Sequence, residues 1–165
     1  MRGFIAIFSF ALATATAAVT AKTLPPYRHL YSFDITLTQD YLVGSGPLGS
    51  RLGYGIVGGN MTSPTGKTIA KAVSGVGGEQ GFIDKNGNLH LQVRAVWQFI
   101  DDKKYGYVEG LGIGSLTGNP LEFQRFETDS PSRLAWNGYF IVTNVTLVRN
   151  GTGLLGDGFV FGNGL

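Results

Sequence analysis

Apolar and polar side chains exchange places residue by residue along much of the chain. His29, Tyr31, Phe33, Ile35 and Leu37 fall on one side, and Ser32, Asp34, Thr36 and Thr38 on the other. Over 89–100 the odd positions are Leu89, Leu91, Val93, Ala95, Trp97 and Phe99, against His90, Gln92, Arg94, Val96, Gln98 and Ile100. A period of two is that of a strand with one buried face. The stretch 139–149 is rich in β-branched and aromatic residues, which suit a pleated surface. Further strands are predicted over 52–57, 67–76, 105–109, 121–128 and 158–161. Gly58-Gly59, Gly77-Gly78, Asp84-Lys85-Asn86-Gly87 and Asn150-Gly151 punctuate them. Asn86-Gly87 predicts a type I′ hairpin turn, with positive φ at both residues. No helical period persists after Ala21.

The pattern predicts an all-β, antiparallel fold of about eight to ten strands. Gly53, Gly55, Gly58, Gly75, Gly106 and Gly110 lie inside or beside predicted strands, where they permit bulges and sharp coiling. A sheet with that many kink points can curl shut and lose its edges, so a barrel is preferred to a sandwich.

Residues 1–21 read as a secretory signal peptide. Arg2 supplies the positive end, Phe4 to Leu12 the apolar run, and Val19-Thr20-Ala21 a small-residue cleavage site. That run is too short to span a bilayer, so no stable membrane insertion is expected. The remaining residues, 22–165, form one barrel domain. Asn60-Met61-Thr62, Asn144-Val145-Thr146 and Asn150-Gly151-Thr152 are glycosylation sequons, which fits a protein of the secretory pathway, secreted or held in an endomembrane lumen.

Composition narrows the chemistry. The 165 residues include 26 Gly, and charged residues are 15% of the total. With 13 basic and 11 acidic residues spread along the chain, nothing resembles a nucleic-acid footprint. The absence of cysteine excludes disulfides, thiolate metal sites and cysteine nucleophiles. His29 and His90 stand apart, with no metal-ligand spacing and no G-x-S-x-G to serve. Gly44-Ser45-Gly46-Pro47-Leu48-Gly49 matches a dinucleotide fingerprint by letters, but Pro47 and the Gly-interrupted segment after Arg51 supply no helix, so it reads as a loop. Asp101-Asp102, beside two lysines, reads as a solvated turn.

Gly58-Gly59 with Gly66-Lys67, then 89–94 followed by Asp101-Asp102, then Phe126-Glu127-Thr128 and Ala135-Trp136-Asn137, resemble the domain of unknown function 3237 family. The resemblance implies a small lipocalin-like β-barrel over roughly 27–161. Two positions depart from that family's pattern: Gly78-Glu79-Gln80-Gly81 replaces an aspartate-tryptophan pair, and Asp101-Asp102-Lys103-Lys104 replaces an Asp-Asp-Gly turn. In size, leader, sequons and β pattern the chain also resembles secreted fungal hetero-Diels–Alderases, which join an o-quinone methide to a macrocyclic terpene such as humulene without a cofactor.

Those resemblances imply a cofactor-independent pericyclase acting on small hydrophobic molecules, with no metal. They favour an inward-facing Arg94, whose forked guanidinium would stabilise charge on a heterodiene oxygen. Glu127 would donate a proton to a leaving group, and Tyr105 would help polarise the heterodiene. His90, Gln92, Tyr107, Trp136 and Asn137 would line the substrate. The residues alone leave other readings open. The even face of 89–100 is equally the solvent side of a half-buried strand, and Arg94 and Glu127 equally a structural ion pair. A non-catalytic carrier of apolar molecules and a structural surface glycoprotein are alternative functions, and a homodimer is left open.

Overall fold

A computed structural model describes residues 23–115 and 117–162. The predicted signal peptide, residues 1–21, therefore lies outside the described residues. Eleven strands are formed: β1 (Tyr27–Leu37), β2 (Gly44–Gly46), β3 (Gly49–Arg51), β4 (Tyr54–Thr62), β5 (Thr68–Glu79), β6 (Phe82–Ile83), β7 (Asn88–Phe99), β8 (Tyr105–Ser115), β9 (Leu121–Thr128), β10 (Phe140–Val148) and β11 (Gly153–Phe161). Eight of them close an antiparallel barrel in the order β7-β5-β4-β1-β11-β10-β9-β8, with β8 returning to pair along β7 from Asn88 to Gln98. The ribbon β2–β3 joins through β6 to the same side of β7 that β5 leaves free. The Gly44–Gly49 fingerprint look-alike is thus a tight hairpin with no helix behind it.

Inward alternation builds the core. The odd residues of β7, from Leu89 to Phe99, are all buried, as are Tyr31, Phe33, Ile35 and Leu37 of β1. One extra residue shifts the register of β1 between His29 and Tyr31. Such a bulge re-aims the side chain before it. His29 therefore sits outside against Phe159, not on the Tyr31 face as the alternation predicts.

Two turn predictions change. Gly58-Gly59 and Gly77-Gly78 lie within β4 and β5 and do not end them. The ladder slips there, and Gly77 takes φ +89° where a Cβ would stand 2.1 Å from the Arg94 carbonyl oxygen. At 84–87 the hairpin forms, but only Gly87 has positive φ; Asn86 does not. Asp84 explains this: its Oδ1 accepts the Asn86 and Asn88 N–H groups at 2.8 and 2.9 Å, so an Asx-type turn replaces type I′.

A short 3-10 helix, Pro131–Gly138, closes one end of the barrel. Trp136 packs its ring edge-on to Phe126 and Phe99, at 5.0 and 6.2 Å between centroids, and tilted at 5.7 Å from Tyr31. Arg133, 8% exposed, lies over the Phe99 ring at 4.1 Å and forks to both Asp101 oxygens at 3.1 Å. The Asp101-Asp102 turn is consequently tied to the plug, with Asp102 accepting from Ser130 Oγ at 2.6 Å.

Candidate functional site

The barrel holds two successive cavities, an inner one reaching Tyr31 beneath the plug and an outer one toward the opposite end, and they share Val145 and Leu154 in their walls. About 40 Å³ in the outer cavity and 20 Å³ in the inner one is open to the centres of water molecules. That is room for a few waters, not for a large ligand without movement of the walls. The walls are mainly aliphatic and aromatic. Into them project polar side chains that the alternation had not marked: Glu79 in the outer cavity, and Glu122 and Gln124 in the inner one beside Tyr31.

The inner group is a directed chain. Tyr31 reaches across the lumen from β1 and donates its hydroxyl proton to Gln124 Oε1. Gln124 Nε2 then donates to Glu122 Oε1 at 2.6 Å. The fixed polarity of the amide makes Glu122 an acceptor on one oxygen and leaves the other for a proton. Burial raises the Glu122 carboxyl to about 8, a shift opposed by the Gln124 hydrogen bond and supported by the charge of Glu79. The same burial, with Glu122 beside it, raises the Tyr31 phenol far above its ordinary range. Gly110 makes the space: a Cβ there would stand 2.0 Å from Glu122 Oε1 and 2.6 Å from Val93 Cγ1.

Glu79 ends β5 where β4 and β7 meet it, opposite Tyr54 and Val93. Its Oε1 accepts the Gln92 N–H at 2.8 Å. Burial raises it to about 7, against the lowering effect of backbone donors from Gln92, Gly81 and Gln80. Both carboxyls are thus shifted in the same direction, toward neutral pH, and burial is the main cause for each. Two buried carboxyls held toward neutral pH inside one barrel are suited to exchanging protons with a bound molecule.

The residues expected from sequence lie elsewhere. Arg94 points outward from β7, about half exposed, and pairs with Glu109 of β8 at 3.0 Å. The expected inward guanidinium is thereby corrected. The odd face of β7 fills the lumen with Leu, Val, Ala, Trp and Phe, so strand alternation sends Arg94 outside. Glu127 is exposed on the outer face of β9 and pairs with Arg125, so no Arg94–Glu127 ion pair forms. Tyr105 is 55% exposed, and its hydroxyl accepts from Gln98 Nε2 at 3.2 Å on the outside. Tyr107 shares that outer face of β8. His90 stacks flat on Phe82 at 4.4 Å, with its Nε2 3.2 Å from Asp84 Oδ2, again outside the lumen. Gln92 contributes its backbone N–H to Glu79, from the outward side of β7. Trp136 belongs to the plug. Asn137 clamps the end of β9, accepting from Thr128 N–H at 2.8 Å and donating to Thr128 O at 2.9 Å.

A signal for the missed residues does exist. Glu122 and Gln124 share their face of β9 with Phe126, whose register places it beside inward Val108 of β8. Glu79 is the one charged residue of the segment Gly77-Gly78-Glu79-Gln80-Gly81. Among the described residues no cluster of His, Asp and Glu suits a metal ion, and no helix is long and apolar enough to cross a membrane.

Comparison with known proteins agrees with this architecture. The profile of the family described as protein of unknown function (DUF3237) matches residues 25–151. No curated protein matches the sequence. Among solved structures, a protein of unknown function from Clostridium acetobutylicum is 20% identical, with a TM-score of 0.73 over 82% of this chain and 99% of its own. A β-barrel-like protein from Acinetobacter baumannii is 19% identical, with a TM-score of 0.69 over 85% and 99%. An enzyme from Penicillium herquei is 14% identical, with a TM-score of 0.64 over 85% and 98%. At these identities the likeness is one of fold.

Proposed function

The chain belongs to the DUF3237 family, and from that premise and the chemistry of the lumen we propose that it is a cofactor-independent enzyme acting on small hydrophobic molecules by buried acid–base catalysis. The observation that carries the reading is the pair Glu122 and Glu79, both more than nine-tenths buried among apolar walls. Each carboxyl is costly to hold there. A container for greasy ligands needs neither. The Penicillium herquei neighbour, described as an enzyme, is consistent with catalysis on this barrel.

The reaction we assign is formation of a quinone methide and its hetero-Diels–Alder capture by a terpene. Glu122 gives a proton to a departing hydroxyl as the carbon–oxygen bond breaks, and water leaves. Glu79 takes the proton of the substrate's phenolic or enolic oxygen, leaving a neutral heterodiene. One new carbon–carbon and one new carbon–oxygen bond then form with the alkene, with rate gained by holding the partners in register. The role read onto Glu127 thus passes to Glu122. The planar ring enters the outer cavity, where Leu52, Pro120 and Leu147 flank Glu79, its departing hydroxyl extends past Val145 and Leu154 toward Glu122 in the inner one, and the terpene rests against the rim. The walls must part for this, because the space is small. The secretory address and the exposed position of Asn60, Asn144 and Asn150 support a protein of the secretory route.

The test is turnover of a hydroxylated quinone-methide precursor with humulene. Wild type should give adduct faster and with higher stereoselectivity than buffer, and Glu122→Gln should lose the rate while retaining the fold. Product identical to the protein-free control, with saturable binding of the precursor, would establish the carrier instead. The apolar walls favour that second reading.

A further inference from the structure

The outer surface of the barrel carries an apolar strip that the lumen chemistry does not use. Cross-strand pairing sets Leu111 of β8 beside Phe123 of β9, Phe123 beside Val142 of β10, and Val142 beside Phe159 of β11. Ile113 pairs with Leu121 in the next outward row. Leu111, Ile113 and Leu121 are each 57% exposed, and the Phe123 and Phe140 rings meet at 4.9 Å. No charged side chain interrupts the Leu111–Phe159 row. A contiguous apolar area of this kind on a soluble protein calls for a cover.

One of the three sequons borders it. Asn144 is exposed on β10, between Leu121 of β9 on the strip side and Asp157 of β11 on the other, and one outward step from Val142. Directly paired residues have Cβ atoms roughly 5 Å apart and diagonal neighbours lie about 7–8 Å away, so the first sugar on Asn144 reaches Leu121 and Phe123. The other sequons do not border the strip. Asn60 sits between Asp34 of β1 and Lys71 of β5. Asn150 follows Arg149, which pairs with Asp34 at 2.6 Å.

We propose that Asn144 carries an N-linked oligosaccharide whose first sugars lie over the strip on β8, β9 and β10 and keep this face in solution. The proposal rests on the secretory assignment above. A lipid-linked oligosaccharyl pyrophosphate is the donor. Its sugar C1–O bond breaks as C1 bonds to Asn144 Nδ2, the amide loses one proton, and lipid pyrophosphate leaves. The partly apolar faces of the sugars then shield Leu121 and Phe123 from water.

The full chain is produced through a eukaryotic secretory host and mapped by glycopeptide mass spectrometry. Asn144 should be occupied. Asn144→Gln should bind several-fold more of an apolar surface dye than wild type and sediment as concentration-dependent oligomers. Thr146→Ser, which keeps the sequon, should match wild type, as should Asn60→Gln and Asn150→Gln. If Asn144→Gln is not recovered, trimming the sugar from the folded Asn60→Gln/Asn150→Gln double variant gives the same readout. A bare Asn144 with Asn60 or Asn150 modified overturns this proposal alone. All three bare overturns the secretory assignment with it. An occupied Asn144 whose removal leaves dye binding and sedimentation unchanged overturns the covering role.

Discussion

Replacing Glu122 by glutamine keeps the shape of the neutral acid, and the hydrogen bond from Gln124, while removing the titration. In the fold the Glu122 carboxyl keeps its proton to about pH 8; its ordinary value is 4.5. Between those values the native state holds a proton that the unfolded chain has released. Its contribution to stability is therefore complete below about pH 4.5 and is lost as pH rises through 8. From 4.5 to 8, at 1.36 kcal/mol for each step of one in pKa, the loss is on the order of 5 kcal/mol. That rivals the whole stability of many domains, about 5–15 kcal/mol. Glu79, at about 7, adds to the loss in the same direction. Urea unfolding from pH 5 to 9 should show wild type weakening steadily across that range. Glu122→Gln should be nearly as stable as wild type at pH 5 and clearly more stable at pH 9. If wild type were equally stable at both pH values, or if the variant followed the wild-type slope, the buried-acid account would be wrong.

Gly110→Ala should cost about 1–3 kcal/mol, because its methyl meets the Glu122 carboxyl and Val93 inside the packed lumen, and a lowered midpoint of thermal unfolding measures it. Arg133→Met should lower stability by roughly 2 kcal/mol through the lost stacking on Phe99 and the lost fork to Asp101, whose half-exposed carboxylate rehydrates once freed; chemical denaturation reads the difference. Arg94→Ala should leave both turnover and the thermal midpoint unchanged within error, since its partner Glu109 and its own guanidinium face solvent. A large loss of rate in that variant would return the reaction to the outer surface.

The strands were legible because period two is a local property. The alternation of 89–100 marks the buried face of β7 without reference to any neighbour, and it also decides against an inward Arg94 once the barrel closes. The site was less legible because β9 inverts the usual rule. Leu121 and Phe123 point out, Glu122 and Gln124 point in, and only Phe126 marks the inward side. Hydropathy read on β9 alone aims at the wrong face. What fixes the face is register with β8, where Gly106, Val108 and Gly110 offer space inside while Tyr107, Glu109 and Leu111 face out. Glycines spaced by two on one strand, beside carboxyl and amide groups spaced by two on the next, say that the interior makes room for polar atoms. The glycines read in the sequence as kink points are here also the volume that admits an acid. A cavity that omits side chains at Gly106 and Gly110 and then fills part of the gap with the Glu122 carboxyl has kept that acid at the cost of its hydration. The inverted face of β9 and the small residues of β8 therefore belong to one arrangement, and chemistry at Glu122 is what would justify both.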